Sequence, residues 1–232
     1  MSDLSMKRLT GWFGLAIVAL NWAMFPLYMV SGQAPLFQDT DRFIAYWNSI
    51  NDLILTRVLL DIFECACLLV FAAGLRHLIR QARSEYEWIG TLAFGAALAL
   101  STVTLVAASL EGGQALDTAN GLADPSAIRA LGDGYILIYQ SIGCILIALF
   151  SAAIGYATMG TGMLPRWTGW LAYVAAILNL VAVPIGLSIA PIAILTVAVI
   201  ADFPLQIWLL IVSIMMIRRR ETAAAPTQVY GS

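Results

Sequence analysis

The chain has 232 residues, 61% of them hydrophobic and only 11% charged, with a mean hydropathy of +0.86. A soluble chain carries roughly 25% Asp, Glu, Lys and Arg, so this one lacks the charge to cover a water-facing surface and belongs in a bilayer. Twelve basic against fourteen acidic residues leave no basic surplus for nucleic acid, and with His77 as the single histidine neither a metal centre nor a haem is expected.

Crossing ~30 Å of hydrocarbon takes ~20 mostly apolar residues in helical conformation. In chain order, six segments meet that requirement, at about 11–30, 53–75, 88–110, 135–159, 167–187 and 192–217. They predict an all-α, polytopic membrane bundle over residues 1–220, followed by a flexible tail over 221–232. Lys7 and Arg8 precede the first span, and Arg76, Arg80 and Arg83 follow the second. Arg166 lies between the fourth and fifth spans, and Arg218, Arg219 and Arg220 follow the sixth. Weaving puts these nine residues at one end, against Arg42, Arg57 and Arg129 at the other. The positive-inside rule then places both termini in the cytoplasm. Acids lean the other way: Asp39, Asp41, Asp52, Glu111, Asp117, Asp124 and Asp133 are expected outside.

The first span is expected to be retained. Its apolar stretch exceeds that of a signal peptide, and Gly32-Gln33-Ala34 before a proline is a poor cleavage site. Trp12, Trp88, Trp167 and Trp170 are placed at the inner interface, and Tyr28, Trp47, Tyr135 and Tyr139 at the outer one, where amphipathic rings settle. Cys65, Cys67 and Cys144 fall inside spans without redox spacing and read as packing.

Two longer connections lie outside. In the first, Asp39 or Thr40 can cap a short helix whose Phe43, Tyr46, Trp47 and Ile50 recur at helical spacing, an amphipathic segment lying in the interface. In the second, Glu111-Gly112-Gly113 reads as a flexible stretch, followed by Asp124-Pro125 as cap and first-turn proline before Ile128 and Leu131. Both segments are expected to seal the outer end of the bundle or to form a lid over it.

An internal repeat is visible. Gly11-Trp12, Asn21 and Pro26 in the first span recur at the same offsets as Gly169-Trp170, Asn179 and Pro184 in the fifth. Both spans run outward, so the pattern predicts a parallel repeat relating helices one and two to helices five and six. Ala148, Ser151, Ala152 and Gly155 read as small residues for close helix contact.

Ionisable residues at mid-bilayer are costly and are found paired or functional. Arg57, Asp61 and Glu64 follow one another at spacings of four and three, along one face of the second helix. Asp202 lies on the sixth. At ~1.5 Å rise per residue, Glu64 comes out ~16 Å deep and Asp202 ~15 Å deep, level with Asn21 and Asn179. Arg57 and Asp61, one turn apart, are expected to neutralise each other. Glu64 and Asp202 then remain without a basic partner, as carboxyl groups able to take up or give off a proton. Pro204 frees the carbonyl of Ile200, and with Pro26 and Pro184 it predicts kinks around a polar midplane layer. Tyr139, Gln140 and Thr102 are further candidates for its lining. Glu64, Asp202, Asn21, Asn179, Asp61 and Arg57 make up the candidate ligand-binding set, without a metal or cofactor.

The stretch Leu164-Pro165-Arg166-Trp167-Thr168-Gly169-Trp170-Leu171 resembles the L-P-R-W-x-G-W signature of bacterial six-helix integral membrane proteins that form a family of unknown function. The likeness extends over a basic loop after helix two, Trp88 opening helix three and a long polar loop before helix four. It implies a six-helix fold in the inner (plasma) membrane and assigns no catalytic residue. The paired midplane acids are similar to those of fungal membrane-bound terpene cyclases, whose seven helices and flanking motifs are absent here. These residues point to a membrane protein that binds or transports a small lipophilic molecule at Glu64 and Asp202 with proton coupling. The alternatives are an acid–base enzyme, of the isomerase or cyclase type, on an isoprenoid- or sterol-like substrate, with Glu64 and Asp202 catalytic, and a structural membrane subunit. Membrane lipid is the expected surrounding partner; the oligomeric state is left open.

Overall fold

A computed structural model describes residues 3–31, 39–121, 124–188 and 191–218. The tail at 221–232, Arg219, Arg220 and Gly32-Gln33-Ala34 lie outside the described residues. The chain forms α1 (Asp3–Ser31), α2 (Thr40–Ser49), α3 (Asn51–Ala82), α4 (Glu87–Ala119), α5 (Pro125–Leu137), α6 (Cys144–Thr161), α7 (Arg166–Ser188) and α8 (Pro191–Arg218). A single 3-10 turn, Ser84–Tyr86, joins α3 to α4, and a π-helical segment, Ile138–Gly143, runs between α5 and α6. Six helical runs are long and apolar enough to cross a membrane, with α5, the π segment and α6 counting as one. This is the all-α bundle of a multi-pass membrane protein.

The spanning helices are arranged as a closed ring. Each packs against the next in chain order, and α1 completes the circuit against α8. Gly11 lies against Ser213, Met216 and Ile217, so the start of α1 and the end of α8 share one end of the ring. We call this the termini end; α2 and the start of α5 lie at the far end.

The half toward the termini end has an apolar core, with a hollow of about 210 Å³ at its mouth between Lys7, Gln81, Met163 and Met215. Ile17, Leu68, Phe71, Phe150, Ile154, Leu205, Trp208 and Val212 belong to one buried apolar cluster that draws on every spanning helix. Trp208 meets Phe71 edge to face, with centroids 6.3 Å apart. Hydrocarbon offers helices no hydrophobic drive to associate, so close van der Waals contact between small residues has to hold them. A Cβ on Gly155 would stand 3.1 Å from the Gly169 carbonyl, and one on Gly169 would stand 3.2 Å from the Gly155 carbonyl. Gly14 gives the same room to Phe71 and Ser213, and Gly74 to Thr10. Ala148 and Ser151 are buried with Gly155, in line with their reading as packing residues. Trp12, Trp88, Trp167 and Trp170 all project outward around this half.

At the far end both short helices start on the caps read from the sequence. Asp39 accepts from the Arg42 backbone N–H, and Asp124 accepts from that of Ser126. The apolar side of α2 turns toward protein: Tyr46 and Trp47 pack on Ile50, Ile54 and Ala115. The stretch Glu111-Gly112-Gly113 departs from expectation, since α4 runs unbroken through it to Ala119. Val58 of α3 lies 3.6 Å from where a Gly112 side chain would begin, and Leu131 of α5 lies 3.9 Å from the same point on Gly113. These glycines serve as contact surfaces for two neighbours, and the helix they extend carries Glu111 into the interior. Thr102 departs too: it faces outward and bonds the carbonyl of Leu98 on its own helix.

Candidate functional site

The far half of the ring holds a buried polar network beside two small apolar clusters, around Ile54 and around Ala201. Arg57 and Glu111 are only 4% and 3% exposed, and the Arg57 guanidinium donates from Nη2 to Glu111 Oε1. Nη1 donates to Ser31 Oγ at 3.3 Å, and the guanidinium carbon stands 4.3 Å from the Tyr28 ring centroid. The expected Arg57–Asp61 ion pair is therefore corrected: Arg57 turns across the α3–α4 interface to Glu111. An i,i+4 pair on one helix has to bend two side chains toward each other, whereas Glu111 meets the guanidinium head-on from a neighbouring helix.

Asp61, only 3% exposed, is thereby left without its cation. Tyr139 lies close enough to act on its carboxyl group, while Oδ2 has no hydrogen-bond partner among the described residues. Glu111 Oε2 and Arg57 Nε are likewise unmatched there. Buried polar atoms are nearly always paired in folded proteins; the other half also holds unmatched atoms, on Ser151, Thr158, Trp208 and Ser213, but those of Asp61, Glu111 and Arg57 belong to charged groups.

Tyr28 and Tyr135, expected at the membrane surface, turn inward. Their hydroxyls are 2.9 Å apart, and the Tyr135 ring centroid lies 4.9 Å from that of Tyr139. The π-helical segment carries Tyr139, and such wide turns re-aim side chains out of α-helical register. The side chain of Gln140 lies outside the described residues.

One turn closer to the termini end, Asn21 Nδ2 of α1 donates to Glu64 Oε1 at 2.5 Å. Glu64 is near enough to both Asp61 and Asp202 for their charges to interact. Asp202 Oδ2 accepts from Gln206 Nε2 at 2.8 Å, one turn along α8. Asn179, fully buried on α7, donates to the carbonyl of Ala201 at 2.9 Å and to that of Ala175 at 3.0 Å. Ala201 lies beside the turn that Pro204 weakens, where a proline removes a backbone donor. Both asparagines thus reach the next spanning helix in the chain: Asn21 touches the acid itself, and Asn179 the residue before the acid.

Of the six candidate residues, Asn21 and Glu64 are hydrogen-bonded, Glu64 is within electrostatic reach of Asp61 and Asp202, and Arg57 is bonded to Glu111. Asn179 meets the backbone of α8 without touching an acid. Sequence reading missed Glu111, Ser31 and Gln206 and placed Tyr28 and Tyr135 at the surface; Tyr139, expected both at the interface and in the lining, faces the interior. For Glu111 a signal was present: Ala107, Ala108 and Ala115 continue the buried small-residue pattern of α4 past the glycine pair.

Four carboxyl groups therefore share this zone with a single guanidinium. Just outside it, burial pushes the Tyr46 phenol above its ordinary range, with Arg57 opposing the shift and Glu111 adding to it. Among the described residues no group of three or more His, Cys, Asp and Glu side chains is placed to hold a metal ion. Comparisons with protein-family models, curated proteins and solved structures find no match for the chain.

Proposed function

We propose that the protein binds a small lipophilic molecule in the far half of the ring and transports it in exchange for protons held by Glu64 and Asp202. The observation that carries this reading is the contrast between the two halves: an apolar core toward the termini end, and beyond it Asp61, Glu64 and Asp202, which make no ion pair among the described residues. Burying charge without compensation is expensive, and a purely structural bundle has no use for that cost. A carboxyl group among hydroxyls and amides can take a proton as a ligand leaves and return it as one arrives. The apolar core closes one end of the path, which is the asymmetry that alternating access requires. Pro26, Pro184 and Pro204, each inside its helix, supply points at which α1, α7 and α8 can bend.

On the same reading the protein lies in a bacterial inner membrane with both termini in the cytoplasm, among the six-helix proteins that share the Leu164–Leu171 signature. The basic residues at the termini end support that orientation, and reporter fusions at each end test it.

Liposomes containing the full chain and loaded with the pH dye pyranine test the transport reading. Addition of a panel of lipophilic probes is expected to move protons, at a rate at least tenfold lower in Glu64→Gln and in Asp202→Asn. Proton movement that ignores both substitutions across the panel overturns the coupling. Failure of every probe to bind saturably overturns the reading as a whole.

A further inference from the structure

The chemistry around Asp61 narrows the ligand further. Asp61 is almost fully buried, and its Oδ2 atom has no hydrogen-bond partner among the described residues. Glu111, Glu64 and Arg57 are all within electrostatic reach of it, so the acids outnumber the cation there. The one cation of the zone is already committed, with its donors on Glu111 and Ser31. A second cation is what this arrangement lacks.

Aromatic rings supply an independent indication. The Tyr28 ring already carries the Arg57 guanidinium on its face at 4.3 Å, so a flat or compact cation is at home in this setting. Tyr139 stands at the Asp61 carboxyl group, with the Tyr135 ring against it at 4.9 Å. Aromatic faces beside a carboxylate form the usual receptor for organic cations, because the ring quadrupole and the acid both attract positive charge while the rings tolerate attached apolar groups. A neutral lipophile would leave the open oxygen of Asp61 unmatched, and an anion would be repelled by the carboxyl groups.

Resting on the transport reading above, we propose that the ligand is a lipophilic organic cation, an ammonium or related group carrying apolar substituents, whose charge is held by Asp61 and Glu64 against Tyr139. Its hydrocarbon part would lie toward the apolar core. The cation takes the place of protons at the acids, so one positive charge replaces another and the zone never carries an excess of bare carboxylates.

Binding to the full chain in lipid nanodiscs tests this with three probes of similar size. They are benzyltrimethylammonium, its uncharged isostere neopentylbenzene and the anion phenylacetate. The ammonium is expected to bind saturably and at least tenfold more tightly than either of the others. Asp61→Asn and Glu64→Gln are each expected to weaken it at least tenfold. Selectivity among the probes is read on the unaltered chain, so it stands even where a variant fails to fold. Equal or tighter binding of the neutral isostere overturns the cation inference while leaving lipophile binding intact. Ammonium binding that is unchanged in both variants overturns the assignment to these acids. Absence of binding by all three overturns the cation inference together with the reading it rests on.

Discussion

Arg57 and Asp61 are one helical turn apart, yet the guanidinium pairs with Glu111 of α4. That choice organises the far half of the ring. It ties α3 to α4 through a buried ion pair and releases Asp61 to face Tyr139.

A buried pair is expensive to break from one side, because the surviving partner is stranded. Arg57→Met or Glu111→Gln is therefore expected to cost about 3–5 kcal/mol of stability. The double variant with Arg57→Met and Glu111→Leu should recover most of the loss, because no charge is left alone. Unfolding in mixed micelles checks this, and additive single and double costs would show that the two groups do not act as a pair.

The apolar half should respond to volume instead. Trp208 is fully buried against Phe71, so Trp208→Ala is expected to cost about 3–5 kcal/mol through the cavity it leaves. Gly74→Val drives a side chain into Thr10 of α1 and is expected to cost about 1–3 kcal/mol by overpacking. Thermal unfolding in detergent measures both; a silent Gly74→Val would mean that α1 and α3 are not in close contact there.

Asn179 offers a contrast with Asn21. It bonds only backbone carbonyls, so Asn179→Leu should cost about 0.6 kcal/mol, up to about 1.7, and leave probe binding unchanged. Asn21 bonds the Glu64 carboxyl group, so Asn21→Leu is expected to weaken probe binding severalfold. Equal effects on binding would remove the distinction between a structural and a site asparagine.

Tyr46 lies outside the spanning helices, and burial raises its phenol above the usual 10.0. The folded state thus holds that proton more tightly than the unfolded state does. Its contribution to stability is complete below the unfolded value and declines as pH rises through the higher folded one. Stability is therefore expected to fall above about pH 10, and less steeply in Tyr46→Phe. Unfolding midpoints from pH 8 to 11.5 check this; identical profiles would show that α2 does not bury the phenol.

The helices were legible because apolar length is a one-dimensional property. A run of twenty uncharged residues spans a bilayer whatever its neighbours do. The caps at Asp39 and Asp124 were legible for a similar reason, since a cap is satisfied within three residues. Glu111 was not, because a glycine pair reads alike whether it loosens a helix or lets two others approach. Nor were Tyr28 and Tyr135 legible, because a tyrosine near a helix end suits a lipid interface and a buried hydroxyl pair equally well.

What composition and order determined by themselves is that the chain crosses a membrane repeatedly and carries acids where acids are costly. Which acid meets which cation was settled only when the ring closed. Electrostatic partners are chosen by distance and direction across helix interfaces, and residues 57 and 111 become neighbours only once α3 and α4 lie side by side.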